Sequence, residues 1–324
     1  MQAAILGAGV IGCGWAARFL LHGWDVVVYD DDPGAPGRMG QTLDQARLAL
    51  SELYDADLPN EGQLRYAASV TEAVQNADWI QESIPESLSI KRDLYRSIQD
   101  ALPADTPLAS STSGFKPTDL ASELCCADRI LVCHPFNPVY LLPVVEVVAG
   151  QNTHPQTMKK AVEILADIGM KPIIVRREVD AHIADRLLEA LWREALWLVA
   201  DDIATTEEID EVMRHGFGLR WAQMGLFETY RIAGGEAGMQ HFLAQFGPAL
   251  AWPWSKLTDV PDLTAELIKK IADQSDAQSG HLSIAKLEQQ RDKNLVAIMR
   301  ALKGTNSGAG EHFNAVEAKL NKQH

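Results

Sequence analysis

Short apolar runs and helical spacings alternate along the first half of the chain. Residues 3–6 form an apolar run with the length of a buried strand, and residues 15–21 have helical spacing before a second run at 26–29. Further strand-length runs lie at residues 79–80, 108–109, 130–133 and 141–148, and further helical spacings at 41–53 and 88–102. This alternation predicts an α/β fold with a Rossmann-type doubly wound, mostly parallel sheet.

The pattern changes near Val179, after which helical spacing dominates. Residues 181–200 repeat apolar side chains at helical intervals. Thr205 and Glu208 supply a capping box for a following helix, which Gly216 would end. Two more amphipathic helices are predicted at residues 263–273 and 282–302. The second half therefore predicts an all-α domain.

We place the domain boundary where the periodicity changes. Residues 1–178 are predicted to form the dinucleotide-binding Rossmann domain, and residues 179–324 a helical substrate and dimerisation domain. Pro33 to Gly37 predict a turn, and the glycine-rich residues 304–310 predict a linker.

A glycine-rich hexapeptide joins the first strand to the first helix. It consists of Gly7, Ala8, Gly9, Val10, Ile11 and Gly12. Gly7 permits a tight turn, Gly9 lets the backbone approach a pyrophosphate, and Gly12 lets helix and strand pack closely. Asp30 follows the second strand, where an acid accepts hydrogen bonds from the adenosine ribose. The strand, loop, helix and acid together predict a bound dinucleotide.

Three consecutive carboxylates, Asp30 to Asp32, would repel a 2′-phosphate, so the sequence favours NAD over NADP. A glycine-rich turn that binds nothing is the plain alternative. A membrane span over residues 3–21 is a second one, but Arg18 and the glycines of the turn argue against it.

Polar segments follow several of the predicted strands, at residues 82–86, 110–114 and 134–138. Because the carboxyl ends of parallel strands share one edge, these segments should meet beside the glycine loop. His134 at one strand end and Glu146 in the next strand form a candidate base and its orienting carboxylate. A capped strand end, with Glu146 paired to some surface base, is the alternative.

Charge and cysteine content narrow the function classes. The 324 residues carry a formal net charge of −15, which disfavours nucleic acid and anionic membrane as partners. The four cysteines lack zinc or C-x-x-C spacing, so a reducing cytoplasm fits best. His182, His215 and His241 show no paired ligand spacing; we interpret them as ordinary structural or surface residues, and expect no metal.

The segment from His134 to Pro138, followed by Val145 to Val147, resembles the signature of the L-3-hydroxyacyl-CoA dehydrogenase family. The resemblance covers nearly the whole chain. It implies that His134 is the catalytic base and Glu146 its partner. It further implies that Ser113 bonds the substrate hydroxyl near the nicotinamide and that Asn137 orients the reacting group.

The same resemblance assigns cofactor-binding positions to Asp30, Glu86 and Lys91. One departure stands out, because the family usually has asparagine where this chain has Asp185. Whether Asp185 still bonds the substrate is left open by the sequence.

An acyl-CoA substrate fits the chain poorly. CoA phosphates need basic residues, yet residues 31–61 hold seven acids against Arg38 and Arg47. Residues 216–221 and 225–229 instead resemble the branch of the family that contains lambda-crystallin and carnitine dehydrogenase, and residues 246–254 and 274–278 resemble the carnitine dehydrogenases within it. That likeness implies that the chain oxidises, with NAD, the C3 hydroxyl of a small zwitterionic 3-hydroxy acid, carnitine, which carries a quaternary ammonium.

A quaternary ammonium has no N–H to donate, and aromatic faces bind it by cation–π attraction. The candidates for such a cage are Tyr140, Trp192, Trp197, Trp221, Phe227, Trp252 and Trp254. For any one of them, a place in the core or in a dimer interface is the simpler interpretation. Arg220 or Lys116 is the candidate for holding the substrate carboxylate.

Three alternatives to carnitine oxidation stay open at this point. Two are enzymes, an L-gulonate dehydrogenase and a short-chain 3-hydroxyacyl-CoA dehydrogenase. The third is a non-catalytic, NAD-binding, crystallin-like protein. A homodimer is expected, because the apolar helical surface of the second half exceeds what one small bundle needs.

Overall fold

The computed structural model describes residues 1–233, 238–247, 253–255, 262, 264–279 and 281–322. The chain forms two compact units. The first contains Met1–Asp185, Asp292–Met299 and His312–His324, and the second contains Arg186–Arg291 and Arg300–Glu311.

A twisted eight-stranded sheet forms the framework of the first unit. Its strands are β1 (Gln2–Leu6), β2 (Asp25–Tyr29), β3 (Leu64–Tyr66), β4 (Trp79–Glu82), β5 (Leu108–Ser110), β6 (Ile130–Pro135), β7 (Val144–Ala149) and β8 (Lys171–Val175). Their order is β3-β2-β1-β4-β5-β6-β7-β8, and only the β6–β7 pair is antiparallel. The predicted Rossmann-type, mostly parallel sheet is confirmed.

Helices connect and cover the strands of this sheet. They are α1 (Val10–Leu21), α2 (Ala35–Leu53), α3 (Val70–Val74), α4 (Leu88–Ile98), α5 (Pro117–Leu120) and α6 (Pro155–Asp167). The turn predicted at Pro33 to Gly37 is wrong beyond Gly34, since α2 begins at Ala35 with Pro36 in its first turn. Proline is tolerated there because the N–H groups of the first turn have no intrahelical partner.

The second half of the chain is helical, as predicted. Its helices are α7 (Ala184–Ala200), α8 (Thr206–Val212), α9 (Gly218–Ala233), α10 (Gly238–Phe246), α11 (Ala265–Ser279), α12 (Ile284–Thr305) and α13 (Ala309–Leu320). The capping box between Thr205 and Glu208 is present. Gly216 does not end the helical path; it marks a kink inside a π-helical turn, Met213–Phe217, that leads into α9.

The glycine-rich segment at residues 304–310 is not the linker predicted for it. Helix α12 runs to Thr305, Asn306 caps it in the left-handed conformation at φ 49°, and α13 begins at Ala309. Gly310 packs so closely on Leu302 that an added Cβ would meet the Leu302 carbonyl carbon at 2.0 Å. Gly310 therefore serves the close packing of α13 on the end of α12, and it does not make the segment flexible.

The core of the first unit lies on both faces of the sheet. The side chains of β1 from Ala3 to Leu6 are fully buried, as are those of the neighbouring β4 from Trp79 to Glu82. Phe19 of α1 packs against Trp79 of β4, with ring centroids 6.1 Å apart. This packing fixes α1, and with it the glycine loop, against the carboxyl edge of the sheet. Within the described residues, no helix is both long and apolar enough to cross a bilayer.

Candidate active site

The glycine loop between β1 and α1 has the geometry of a pyrophosphate cradle. Gly7 adopts φ +92°, which disfavours any residue with a side chain. A Cβ on Gly12 would meet the Gly7 carbonyl oxygen at 1.8 Å, whereas a Cβ on Gly9 would face open space. The first intrahelical bond is donated by Cys13 to Gly9, so the preceding N–H groups of α1 remain available to an anion.

Asp30 lies at the end of β2 and contacts this loop directly. Its Oδ2 accepts the Ala8 N–H at 2.5 Å, and its Oδ1 accepts the Asp32 N–H at 2.8 Å. The guanidinium of Arg38 lies 4.0 Å from Asp30, bonds Asp32, and donates to the Ala8 carbonyl at 3.2 Å. The residues fit a dinucleotide: an open cradle, a carboxylate at its end, and a cation at its margin.

The polar segments after the strands meet at one edge, as predicted. The Gly7 turn lies against the Ser83 carbonyl, and the hydroxyls of Ser83 and Ser111 are 2.8 Å apart. Ser111 also accepts bonds from Gln81 at 2.8 Å and from the Trp15 indole at 3.2 Å. The glycine loop and the segments after β4 and β5 therefore form one continuous polar surface at the carboxyl edge of the sheet.

Lys91, predicted to bind the cofactor, lies in the interior with 1 % of its surface exposed. Its ammonium donates to Glu82 at 2.6 Å and to the Ile84 carbonyl at 3.1 Å. Glu82 is fully buried and also accepts from Tyr95 at 2.5 Å and from Ser110 at 2.6 Å. In this structure Lys91 therefore holds the end of β4 and presents no free ammonium to a ligand.

Glu86 connects the segment after β4 to the segment after β5. Its Oε1 accepts a bond from the Thr112 hydroxyl and one from the Gly114 N–H at 3.3 Å. Its Oε2 lies 3.4 Å from the Lys91 ammonium, and the side chain is about half exposed. Glu86 thus fixes the loop that carries Ser113.

His134 and Glu146 face each other across the antiparallel β6–β7 pair, in direct register. The His134 Nδ1 lies 2.9 Å from Oε2 of Glu146, and both side chains are buried. A carboxylate only accepts, so Nδ1 carries the proton and Nε2 keeps its lone pair. The sequence places these residues on consecutive strands, and the antiparallel pairing of those strands brings the two side chains into contact.

The other oxygen of Glu146 anchors the start of α7. Oε1 accepts the N–H groups of Ile183 at 2.9 Å and Ala184 at 3.1 Å. Burial raises the pKa of the Glu146 carboxyl, but the bonds from His134, Ile183 and Ala184 outweigh it, so the net pKa lies below its usual range. Glu146 is therefore an ionised acceptor at neutral pH.

His182 is a site residue that the sequence interpretation missed. It was taken as an ordinary histidine, yet its ring centroid lies 5.8 Å from that of His134. Its Nε2 donates to the Thr112 carbonyl at 3.3 Å, which ties the segment before α7 to the loop after β5. Ala181 and His182 both adopt left-handed φ angles, 60° and 49°. Sequence spacing does not predict that His182 lies beside His134, because the tight turn at Ala181 and His182 brings the two rings together.

Ser113 and Asn137 lie in the loops that flank His134. Ser113 is half-buried, directly after Thr112, and Asn137 is exposed three residues beyond His134. Within the described residues neither side chain has a hydrogen-bond partner. Their proposed roles toward substrate are compatible with this placement.

The predicted cage residues differ in exposure. Tyr140 is buried, and its hydroxyl bonds Asp292, so its ring belongs to the interior rather than to a cage. Trp192, Phe227 and Trp254 are 56 %, 76 % and 74 % exposed.

The remaining cage candidates and Arg220 lie in the second unit or outside the described residues. Trp221 is half-buried, with its ring centroid 4.5 Å from that of Phe217, and Arg220 is exposed. Trp197 is half-buried, and Trp252 lies outside the described residues. Lys116, the other candidate for the substrate carboxylate, bonds Asp180 at 3.0 Å.

A Rossmann sheet, a dinucleotide cradle and a carboxylate-oriented histidine at the same edge define the nucleotide-dependent dehydrogenase class. Comparison with protein families shows which family of dehydrogenases the chain belongs to. The profile described as 3-hydroxyacyl-CoA dehydrogenase, NAD binding domain, matches residues 2–179, and the profile of the C-terminal domain matches residues 182–271. The chain belongs to the 3-hydroxyacyl-CoA dehydrogenase family, and its cofactor is NAD.

Curated relatives carry a more specific name. The L-carnitine dehydrogenase of Mesorhizobium japonicum is 53 % identical over 99 % of this chain and 89 % of its own length. The L-carnitine dehydrogenase/betainyl-CoA thioesterase of Ruegeria pomeroyi is 60 % identical over 98 % of this chain, which spans 65 % of that relative's length. A solved structure of 5-formyl-3-hydroxy-2-methylpyridine 4-carboxylic acid 5-dehydrogenase matches with TM-score 0.79 and 31 % identity, covering 94 % of this chain and 98 % of that one.

Proposed function

We propose that this chain oxidises the C3 hydroxyl of L-carnitine to the ketone of 3-dehydrocarnitine with NAD, and that His134 is the general base. The observation that carries the proposal is the His134–Glu146 pair at the edge that holds the dinucleotide cradle. Relatives named L-carnitine dehydrogenase support the choice of substrate.

His134 supplies the proton acceptor that alcohol oxidation needs. Its unprotonated Nε2 takes the hydroxyl proton as the C3–O bond becomes a carbonyl. Glu146 stabilises the resulting imidazolium and holds the ring in the productive tautomer. Bound NAD supplies the acceptor for the hydride that leaves C3 with its electron pair. Protons and electrons then balance, with one proton on His134 and one hydride on the nicotinamide.

The alternatives are an L-gulonate dehydrogenase, a short-chain 3-hydroxyacyl-CoA dehydrogenase, and a non-catalytic NAD-binding protein. The net charge of −15 and the acidic stretch at residues 31–61 weigh against CoA, which bears several phosphate charges. The intact His134–Glu146 geometry weighs against a non-catalytic role.

Initial rates with NAD and four substrates separate these functions: L-carnitine, L-gulonate, 3-hydroxybutyrate and a 3-hydroxyacyl-CoA. We expect kcat/KM for L-carnitine to exceed the others by at least about tenfold, the discrimination that one well-placed interaction provides. A higher kcat/KM for gulonate or the acyl-CoA would transfer the assignment to that substrate. No NAD reduction with any of them would favour the non-catalytic protein.

We also propose a homodimer in a reducing cytoplasm. The apolar side chains of Leu187, Leu188, Leu191 and Trp192 along α7 are exposed in the single chain, as at many subunit interfaces. Cys13, Cys125, Cys126 and Cys133 are free thiols. Sedimentation equilibrium would test the assembly, and a monomer at micromolar concentration would refute it.

A further inference from the structure

Asp185 places a second carboxylate beside the proposed base. Its Oδ1 lies 4.0 Å from Nε2 of His134, the nitrogen opposite the one that Glu146 binds. The Asp185 side chain retains 28 % of its exposure, whereas that of Glu146 retains 3 %. The substrate hydroxyl that donates to Nε2 must therefore approach within contact range of Asp185.

The two carboxylates differ in how they are satisfied. Glu146 accepts three donors, from His134, Ile183 and Ala184. Among the described residues, Asp185 has no lysine or arginine within ion-pair distance, and its only ionic neighbour is the imidazole that must be neutral to act as a base. A partly buried carboxylate without a counter-ion is costly, so its charge calls for a cation from outside the chain.

The neighbouring histidine does not supply that cation. His182 is 1 % exposed, and its Nε2–H is committed to the Thr112 carbonyl. The Nδ1 that remains is an acceptor, and it is buried without a partner. Burial, followed by repulsion from a protonated His134, lowers the pKa of His182, so the ring stays neutral. The ammonium of Lys116, the other basic group considered for the substrate, is paired with Asp180 at 3.0 Å.

We propose that Asp185 is the counter-ion for the quaternary ammonium of the substrate and so a specificity-determining residue of this site. The inference rests on the proposed function. In carnitine a single methylene separates C3 from the nitrogen, so a hydroxyl seated on Nε2 brings the cation near Asp185. A trimethylammonium donates no N–H hydrogen bond, and it pairs by charge alone with a carboxylate that need not be aligned.

The comparison substrate is 3-hydroxy-5,5-dimethylhexanoate of matching configuration, in which carbon replaces the nitrogen of carnitine. The two molecules share shape, hydroxyl and carboxylate and differ in one positive charge. For the wild type, kcat/KM should favour carnitine over this isostere by about 10²-fold, the scale of one desolvated charge pair. In Asp185→Asn, which restores the residue usual in the family, the preference should fall to within a few-fold of unity.

Asp185→Glu keeps the charge and should retain most of the preference, and melting temperatures of both variants check folding. An equal loss with both substrates would show that Asp185 acts through His134, and would overturn the inference. An unchanged preference in Asp185→Asn would overturn it as well. These results leave the proposed function standing, because the wild type still oxidises carnitine. A wild type that reduces no NAD with carnitine would refute the proposed function itself, and the inference with it.

Discussion

The Nδ1 atom of His134 lies 2.9 Å from Oε2 of Glu146, while Oε1 of the same carboxylate holds the first N–H groups of α7. One buried carboxylate therefore sets the tautomer of the proposed base and the position of the segment that carries His182 and Asp185. Orientation of the imidazole and shape of the pocket depend on the same side chain.

Glu146→Gln should remove the negative charge that pairs with the His134 ring. The amide cannot stabilise an imidazolium, so we expect kcat for carnitine oxidation to fall by about 10²–10⁴-fold. The affinity for NADH, measured by fluorescence titration, should stay at the wild-type value because the cradle is unchanged. Glu163→Gln is the matched control, since Glu163 is an exposed residue whose carboxylate pairs with Lys159. A kcat near that of the control would contradict the role of Glu146.

Asp30→Ala should change the choice of dinucleotide. It removes the carboxylate proposed to bind the ribose and leaves Arg38 at the margin of the site, where a guanidinium would attract a 2′-phosphate. We expect kcat/KM with NAD to fall by about tenfold or more, the value of a lost charge-assisted bond, and the NAD-to-NADP ratio to drop further. Asp167→Ala, at an exposed aspartate that ends α6, should leave the ratio unchanged. An unaltered ratio in Asp30→Ala would remove Asp30 from cofactor selection.

Lys91→Met should destabilise the fold more than it perturbs cofactor binding. The substitution leaves Glu82 charged and fully buried without its cation, which costs about 3–5 kcal/mol in comparable buried pairs. Urea unfolding measures the loss, and Lys159→Met at an exposed position is the control. Adding Glu82→Gln to Lys91→Met should restore part of the stability. Wild-type stability in the single variant, with weakened NAD binding, would return Lys91 to the cofactor site.

His22 predicts a loss of stability in acid. Burial, followed by the charge of Arg18, lowers the pKa of His22 from its ordinary 6.5 to about 3. Below pH 6.5 the unfolded chain binds a proton that the folded chain does not, so stability falls as pH falls from 6.5 toward 3. His22→Gln should flatten this dependence in thermal unfolding, whereas His215→Gln, at an exposed histidine, should not. Parallel pH profiles for all three proteins would contradict the assignment.

Much of the framework could be predicted from local patterns. Apolar runs located β1, β2 and β6 because the buried stretch of each strand leaves an unbroken hydrophobic signal. Strands β3 and β8 were missed, since Leu64–Tyr66 is short and largely exposed and Lys171–Val175 leaves Ile174 in solvent. Such edge strands are defined by their pairing, which a local pattern does not contain.

In the site, too, some residues could be predicted from local patterns and others depend on tertiary structure. His134 and Glu146 could be paired from the sequence, because His134 ends one predicted strand, Glu146 lies in the next, and both match the family signature. The placement of His182 could not, since it depends on two consecutive left-handed residues. Lys91 was assigned to the cofactor site from the family resemblance. Its burial against Glu82 depends on tertiary packing, which the motif does not contain.

The most direct test of the account is the rate of hydride transfer in His134→Ala, followed as NADH formation after rapid mixing with saturating L-carnitine and NAD. We predict a rate about 10²–10⁴-fold below that of the wild type, with an unchanged affinity for NADH. Transfer at a near-wild-type rate would show that another group takes the hydroxyl proton, and would contradict the assignment of His134 as the base.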